Sequence, residues 1–313
     1  MRFKLLALAL SSPLAFAAIA DTVTDSFTHG KVSGEMAAGT LSGKTKERVY
    51  HPVSADKVSQ LNWKYSNAAI VKGALYWDFI PWLSLGASAW TTIASRGGYM
   101  DDTDWLDEGS RRWTAQSKHP ATRLNYANEF DLNIKQWLLN EPDYRLGVMA
   151  GYQENRYSFK SNGGFYNYPG EDSSIREIGA FPAGTTVIGY RQRFKIPYMG
   201  LTGRYRYERF EFGGTFKFSG WVSASDNDEH YLTNTTFKAN TANQKFYSLA
   251  ADAGYYVTPK AKIYLDSIWS RTTNKKGNMS VNNHTDGTEE TFANVSGIEN
   301  DNYMISVGLK YAF

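Results

Sequence analysis

Apolar and polar positions alternate with period two through the closing stretch of the chain. Tyr303, Ile305, Val307, Leu309, Tyr311 and Phe313 fall on one side, and Met304, Ser306, Gly308, Lys310 and Ala312 on the other. Such alternation predicts a β-strand with one apolar face. The same signal recurs after Pro197, where Met199, Leu201, Gly203, Tyr205 and Tyr207 alternate with Tyr198, Gly200, Thr202, Arg204 and Arg206. It recurs again in Tyr247–Val257 and in Lys262–Trp269, two strands predicted to be joined by the tight turn Thr258-Pro259-Lys260-Ala261. Lys262 and Asp266 fall within such a strand; they are tolerable facing a wet lumen and costly facing lipid.

Polar stretches rich in Gly, Asn and Asp separate these strands, over roughly 96–123, 161–189, 225–245 and 271–301. They read as the outer ends of strands with their extracellular loops. Counting strands against loops predicts about ten, with eight or twelve also compatible with the count. Several are longer than the 9–11 residues that cross a membrane, so a barrel of this kind stands well above it.

The amino terminus sets the compartment. Met1-Arg2-Phe3-Lys4 precedes an apolar run from Leu5 to Ala20 that closes on Ala18-Ile19-Ala20. This is the pattern of a signal peptide over residues 1–20, leaving a single domain over 21–313. Without the leader the chain has 32 basic and 31 acidic side chains. That balance gives no reason to expect a nucleic-acid partner. There is no cysteine, hence no disulfide, thiol nucleophile or zinc-thiolate site. No later apolar run approaches 18 residues, so a closed barrel is the one way for the remaining chain to be integral to a membrane.

Two acidic clusters carry candidate chemistry. In Met100-Asp101-Asp102-Thr103-Asp104-Trp105, extended backbone points Asp102 and Asp104 to the same side. Two carboxylates that close share protons readily, although a solvated loop or a calcium-binding tip would look alike. In Ser225-Asp226-Asn227-Asp228-Glu229-His230-Tyr231, Asp228 and His230 share a face. A carboxylate there can orient the imidazole and raise its basicity. A hard cation held by oxygens and one imidazole is the competing chemistry.

At these residues the chain resembles the omptin family, the outer-membrane proteases and plasminogen activators of enterobacteria. The resemblance extends over essentially the whole chain. It is carried by Leu41-Ser42-Gly43-Lys44, Asn128-Glu129-Phe130-Asp131-Leu132-Asn133, Gly151-Tyr152-Gln153-Glu154, Asp226-Asn227-Asp228-Glu229-His230-Tyr231 and Gly254-Tyr255-Tyr256-Val257-Thr258-Pro259. The resemblance implies an all-β fold, a ten-stranded antiparallel transmembrane β-barrel in the outer membrane with its active groove facing the exterior. It implies an endopeptidase that cleaves basic peptides and proteins after Arg or Lys, preferentially between paired basic residues. Asp102, Asp104, Asp228 and His230 match the catalytic positions, with His230 taking a proton from a water held between the two pairs. Ser117 matches a position once suspected as a nucleophile, but a water-activating aspartate pair is redundant in a Ser-His-Asp triad. Ser117 and His119 read better as residues that shape the groove.

By the same resemblance Glu47 and Asp226 form an acidic pocket for the basic side chain, and Glu129 adds negative field on the leaving-group side. Ala115 stands where the most similar member carries an acid, which should relax preference there. Tyr152, Glu154, Arg156 and Arg193 match positions that contact lipopolysaccharide phosphates. Lipopolysaccharide is then an activating lipid, with no other cofactor and no metal, and the working unit is a monomer. A further basic position falls on Ala242, with Lys245 nearby as a partial substitute. Two other classes share much of this pattern: a passive pore or adhesin barrel, and a metal- or serine-dependent outer-membrane hydrolase.

Overall fold

The computed structural model describes residues 31–107, 112–170 and 175–313; the leader lies outside them. Eleven strands follow one another: β1 (Lys31–Tyr50), β2 (Lys57–Ile80), β3 (Leu83–Asp104), β4 (Ala115–Asn140), β5 (Tyr144–Pro169), β6 (Arg176–Tyr207), β7 (Phe210–His230), β8 (Thr235–Tyr256), β9 (Ala261–Thr272), β10 (Lys276–Asn283) and β11 (Thr288–Ala312). Each pairs antiparallel with its neighbour, and β1 pairs with β11 from Ser33↔Ala312 to Val49↔Ser296, which closes the sheet. β9 and β10 both lie between β8 and β11, at successive heights. They are two halves of one stave interrupted at Thr273–Lys275, so the barrel has ten staves, as expected.

The outward face carries the apolar alternation. Tyr303, Ile305, Val307, Leu309 and Tyr311 are all exposed, while Met304 and Ser306 are buried inside. Met199, Leu201, Tyr205 and Tyr207 on β6 and Leu249 and Tyr255 on β8 are likewise exposed. Together they form the band that a lipid environment covers. The predicted turn is present, with Val257 N donating to Ala261 O at 2.9 Å.

The polar stretches, expected to be largely loop, are mostly strand. β5 and β6 continue to Pro169 and from Arg176, and Asn227, Asp228 and His230 are all in β7. The reason is that above the lipid band the outward face meets water while the inward face carries polar site residues such as the buried Asp226 and Asp228. Polarity then stops alternating while backbone pairing continues, so composition alone reads as loop.

Two layers fill the lumen. Toward the outer end an aromatic layer includes Trp63, Tyr65, Tyr157, Phe159, Tyr190 and Phe194, with Trp63 and Tyr190 stacked at 5.3 Å between centroids. Toward the other end lie ion pairs. Glu211 receives Arg204 at 2.5 Å and Lys262 at 2.7 Å, and Lys217 meets Asp131 at 2.6 Å. Asp266 is paired with Lys72, so Lys262 and Asp266 do face inward. Buried charges are tolerable because each has its counter-ion, and a lumen packed in this way argues against the passive-pore alternative.

Candidate active site

Cross-strand pairing assembles one wall of the mouth. Glu47 on β1 pairs with Leu61 on β2, Leu61 with Asp102 on β3, Asp102 with Ser117 on β4, and Ser117 with Tyr166 on β5. All members of such a row point to the same face, here the interior. Asp104 lies two residues further out on β3 and shares that face. Across the mouth, β7 brings Asp226, Asp228 and His230 to the interior by the same period.

His230 and Asp228 are in direct contact, Nε2 to Oδ2 at 2.8 Å, with Asp228 almost wholly buried. The imidazole edge also packs on Phe237 at 4.9 Å. With Nε2 engaged, Nδ1 is the nitrogen left to take a proton. Burial acts against charging His230, but the carboxylate of Asp228 outweighs it, and Asp102 and Asp104 add to it from across the mouth; the imidazole is pushed up to about 9. Burial and the neighbouring Asp104 push Asp102 up to about 8, and burial raises Asp104 as well. Ser59 Oγ reaches Asp102 Oδ1 at 3.4 Å. Asp102 therefore holds a proton at neutral pH that an isolated aspartate would lose.

Glu47 faces Asp228 and Asp226 on the inner side of the site. Asp226 Oδ2 accepts from Tyr190 Oη at 3.0 Å and Oδ1 from Ala239 N at 2.8 Å. Burial pushes Asp226 up to about 7. Burial, then Asp228 and Asp226, hold Glu47 well above the carboxylate range. Buried acids crowded in this way lack a counter-charge, which a cationic side chain would supply.

Ser117 and His119 are both buried. His119 Nδ1 donates to Gly163 O at 2.5 Å, which leaves Nε2 to accept from Ser117 Oγ at 2.8 Å. Gly163 and Gly164 have φ of 54° and 116°, and a Cβ at Gly164 would lie 2.7 Å from His119 Nδ1. Two glycines thus let β5 fold over the imidazole. Among the described residues the His119 ring is held by Ser117 and the backbone of Gly163, with no carboxylate behind it.

The expectation for Glu129 needs correction. It sits two residues beyond Ala127, a member of the aromatic layer, and its Oε2 accepts from Gln153 Nε2 at 2.9 Å and Asn155 Nδ2 at 2.7 Å. It lines the charged lumen cavity with Asp131, Lys135 and Lys217. Period-two alternation fixes which face a residue takes but not its height in the barrel. Tyr168 is the neighbour that sequence reasoning missed: the charges of Asp102 and Asp104 reach its hydroxyl, which burial raises. Its only sequence signal is its place two residues beyond Tyr166.

On the outer wall, Arg156 and Arg193 are direct cross-strand partners. Both converge on the buried Glu154: Arg156 Nε at 2.7 Å, and Arg193 Nε and Nη2 at 2.9 and 2.8 Å. Tyr152 Oη lies 3.5 Å from the same carboxylate. Among the described residues no cluster of His, Asp and Glu has the form of a metal site.

A closed barrel with an apolar belt and an acid–imidazole site at its wet mouth is the architecture of an outer-membrane hydrolase. The chain belongs to the omptin family, whose model matches residues 28–313. It is 57% identical to the outer membrane protease OmpP of Escherichia coli K12 over the full length of both chains. It is 49% identical to the outer membrane protease IcsP of Shigella flexneri, again over both full lengths. The crystal structure of the outer membrane protease OmpT from Escherichia coli superposes with a TM-score of 0.89 at 57% identity, covering 93% of this chain and all of the other. The protein is located in the outer membrane with its mouth to the exterior.

Proposed function

We propose that the four residues Asp102, Asp104, Asp228 and His230 carry the endopeptidase activity by activating a water, and that Glu47 and Asp226 select the basic residue before the cleaved bond. As a member of its family the chain is an endopeptidase that cleaves after basic residues, and its activating lipid is lipopolysaccharide. The observation that carries the assignment of residues is the 2.8 Å contact between His230 and Asp228 opposite the aspartate pair.

A water between the two walls would give its proton to His230 Nδ1. Asp228 stabilises the imidazolium, as a buried carboxylate does behind a general base. The proton-bearing aspartate pair offers a hydrogen bond to the carbonyl oxygen as negative charge develops on it. His230 then returns its proton to the leaving amine. No enzyme acyl group forms, which suits the burial of Ser117. A cationic P1 side chain relieves the crowded acids at Glu47 and Asp226. Preference for a second basic residue after the bond is the finer part of this reading, and the methyl group of Ala115 supplies no charge to enforce it. Arg156 and Arg193 bind lipopolysaccharide phosphate through paired guanidinium forks.

Cleavage of a short peptide containing Arg-Arg tests the mechanism. The expected result is turnover that persists with chelator and disappears in His230→Ala. Loss with chelator, or near-normal rates in His230→Ala, would reject it. The leader, proposed to be removed after Ala20, is checked by amino-terminal sequencing of the exported protein.

A further inference from the structure

We infer that the outer wall of β1, β2, β9 and β11 is a second binding site for a phosphorylated outer-leaflet lipid, half-way round the barrel from the Glu154 clamp. The stave order places the β5–β6 seam and the β11–β1 seam five staves apart in a ring of ten.

Three observations point to it. The first is a buried carboxylate that gathers cations on the outer wall, as Glu154 does. Glu299 receives Lys46 at 3.4 Å, Arg48 at 3.0 Å and Arg271 at 3.8 Å, and the Arg271 side chain remains 45% exposed. The second is a row of charges set by pairing: Lys64 opposes Lys44, Lys44 opposes Asp301, and Asp301 opposes Arg271. Lys44 and Lys64 are exposed. Lys64 meets Asp101 at 3.5 Å and Trp269 Nε1 donates to Asp301 at 3.2 Å, so five cations face three carboxylates and positive charge is left over.

The third observation is height, and it selects the occupant. Two residues below Arg271 is Trp269, and two below Asp301 is Tyr303; both are outward and exposed, with Ile305 and Val307 beneath them. Arg156 and Arg193 lie at about the same level, since their neighbour Tyr157 accepts from Asn302 across the lumen, with Glu154 and Lys195 between them and the apolar band. Phosphate groups of a lipid whose chains cover that band lie at this level, and cations near an anionic membrane surface attract them. A soluble polyanion would have no need of the apolar residues directly below.

Location gives the site a consequence for catalysis. Lys46 and Arg48 flank Glu47 on β1, so a lipid held there backs the strand whose inner face carries the proposed specificity pocket. The count of lipids below rests on the Glu154 clamp also binding lipid, and each clamp is removed separately.

Native mass spectrometry of protein refolded without lipid, then titrated with a bis-phosphorylated acylated glucosamine disaccharide, tests the inference. Wild type should bind two lipids, Lys44→Ala/Lys64→Ala/Arg271→Ala one, and Arg156→Ala/Arg193→Ala one. The triple variant with glutamine at the same positions keeps side-chain bulk and should behave like the alanine form. The dephosphorylated lipid should fill neither site. Two lipids on both triple variants, or one lipid on wild type that only the Arg156/Arg193 pair controls, would overturn the inference. Displacement of the second lipid by inorganic phosphate would assign the cluster to free phosphate and also overturn it.

Discussion

Glu47 and Asp102 belong to one cross-strand row, separated by Leu61 alone. Two inter-strand spacings put their backbones roughly 10 Å apart. The acid proposed to recognise a side chain and the acid proposed to act on the neighbouring peptide bond are thus held at fixed separation by hydrogen-bonded backbone. Leu61, buried between them, keeps the two carboxylates from meeting directly.

The dyad is expected to dominate the rate. His230→Ala should lower kcat/KM for a dibasic peptide by roughly 10²–10⁴-fold, the usual contribution of a placed general base. The barrel should stay folded by circular dichroism. Ser117→Ala should cost far less. Complete loss of activity in folded Ser117→Ala would return the serine to the chemistry.

The pH profile has a defined sign. His230 must be neutral to accept a proton and is pushed up to about 9, while the aspartate pair must keep a proton and Asp102 is pushed up to about 8, so kcat/KM should rise with pH to a maximum between these values and fall beyond it. Negative charge on Asp102 contributes to that elevation. Asp102→Asn should therefore move the rising limb to lower pH while reducing the maximum. A limb that stays in place would show that Asp102 does not face His230 in the free enzyme.

Specificity should titrate as well. Asp226 is pushed up to about 7, and burial together with its acidic neighbours holds Glu47 well above the usual carboxylate range. Both gain charge as pH rises, so KM for Arg-P1 peptides should fall as pH increases through about 7. Glu47→Gln/Asp226→Asn should abolish this trend and leave peptides with an uncharged P1 little changed. Equal losses for charged and uncharged substrates would mean that the two acids serve structure instead.

The Glu154 clamp is expected to set lipid demand. Refolded, lipid-free protein should be a formed barrel with little activity until lipopolysaccharide is added. Arg156→Ala/Arg193→Ala should need more lipopolysaccharide for half-maximal activity. Displacements of about 1 Å in a site can cost on the order of 10²-fold, so a clamp on the outer wall can control a groove inside it. Full activity in lipid-free detergent would exclude this control.

Much of this was legible in the sequence because the period of a strand is short and strict. The outward set Tyr303–Tyr311 and the inward pairs Asp102/Asp104 and Asp228/His230 follow from counting by twos. Height did not follow. Shear around the barrel sets which residues on distant staves meet, so Glu129 shares the interior with Asp102 yet belongs to the ion pairs below the aromatic layer. The polar stretches misled for a related reason: where water covers the outward face and acids line the inward one, Asn227 and Glu229 can sit in a strand without any apolar alternation to announce it. Glu299 was also invisible, since its three cations come from β1 and β9 and are remote in the chain.

The seam between β1 and β11 has a consequence for when this enzyme can act. β3 and β7 hold the two halves of the site on opposite walls, and nothing but the completed ring sets them face to face. Before the first and last strands join, the chain carries every proposed catalytic residue but no assembled groove. Joining the seam therefore has to precede activation by lipopolysaccharide, and both steps belong to the membrane where the mouth opens to the outside.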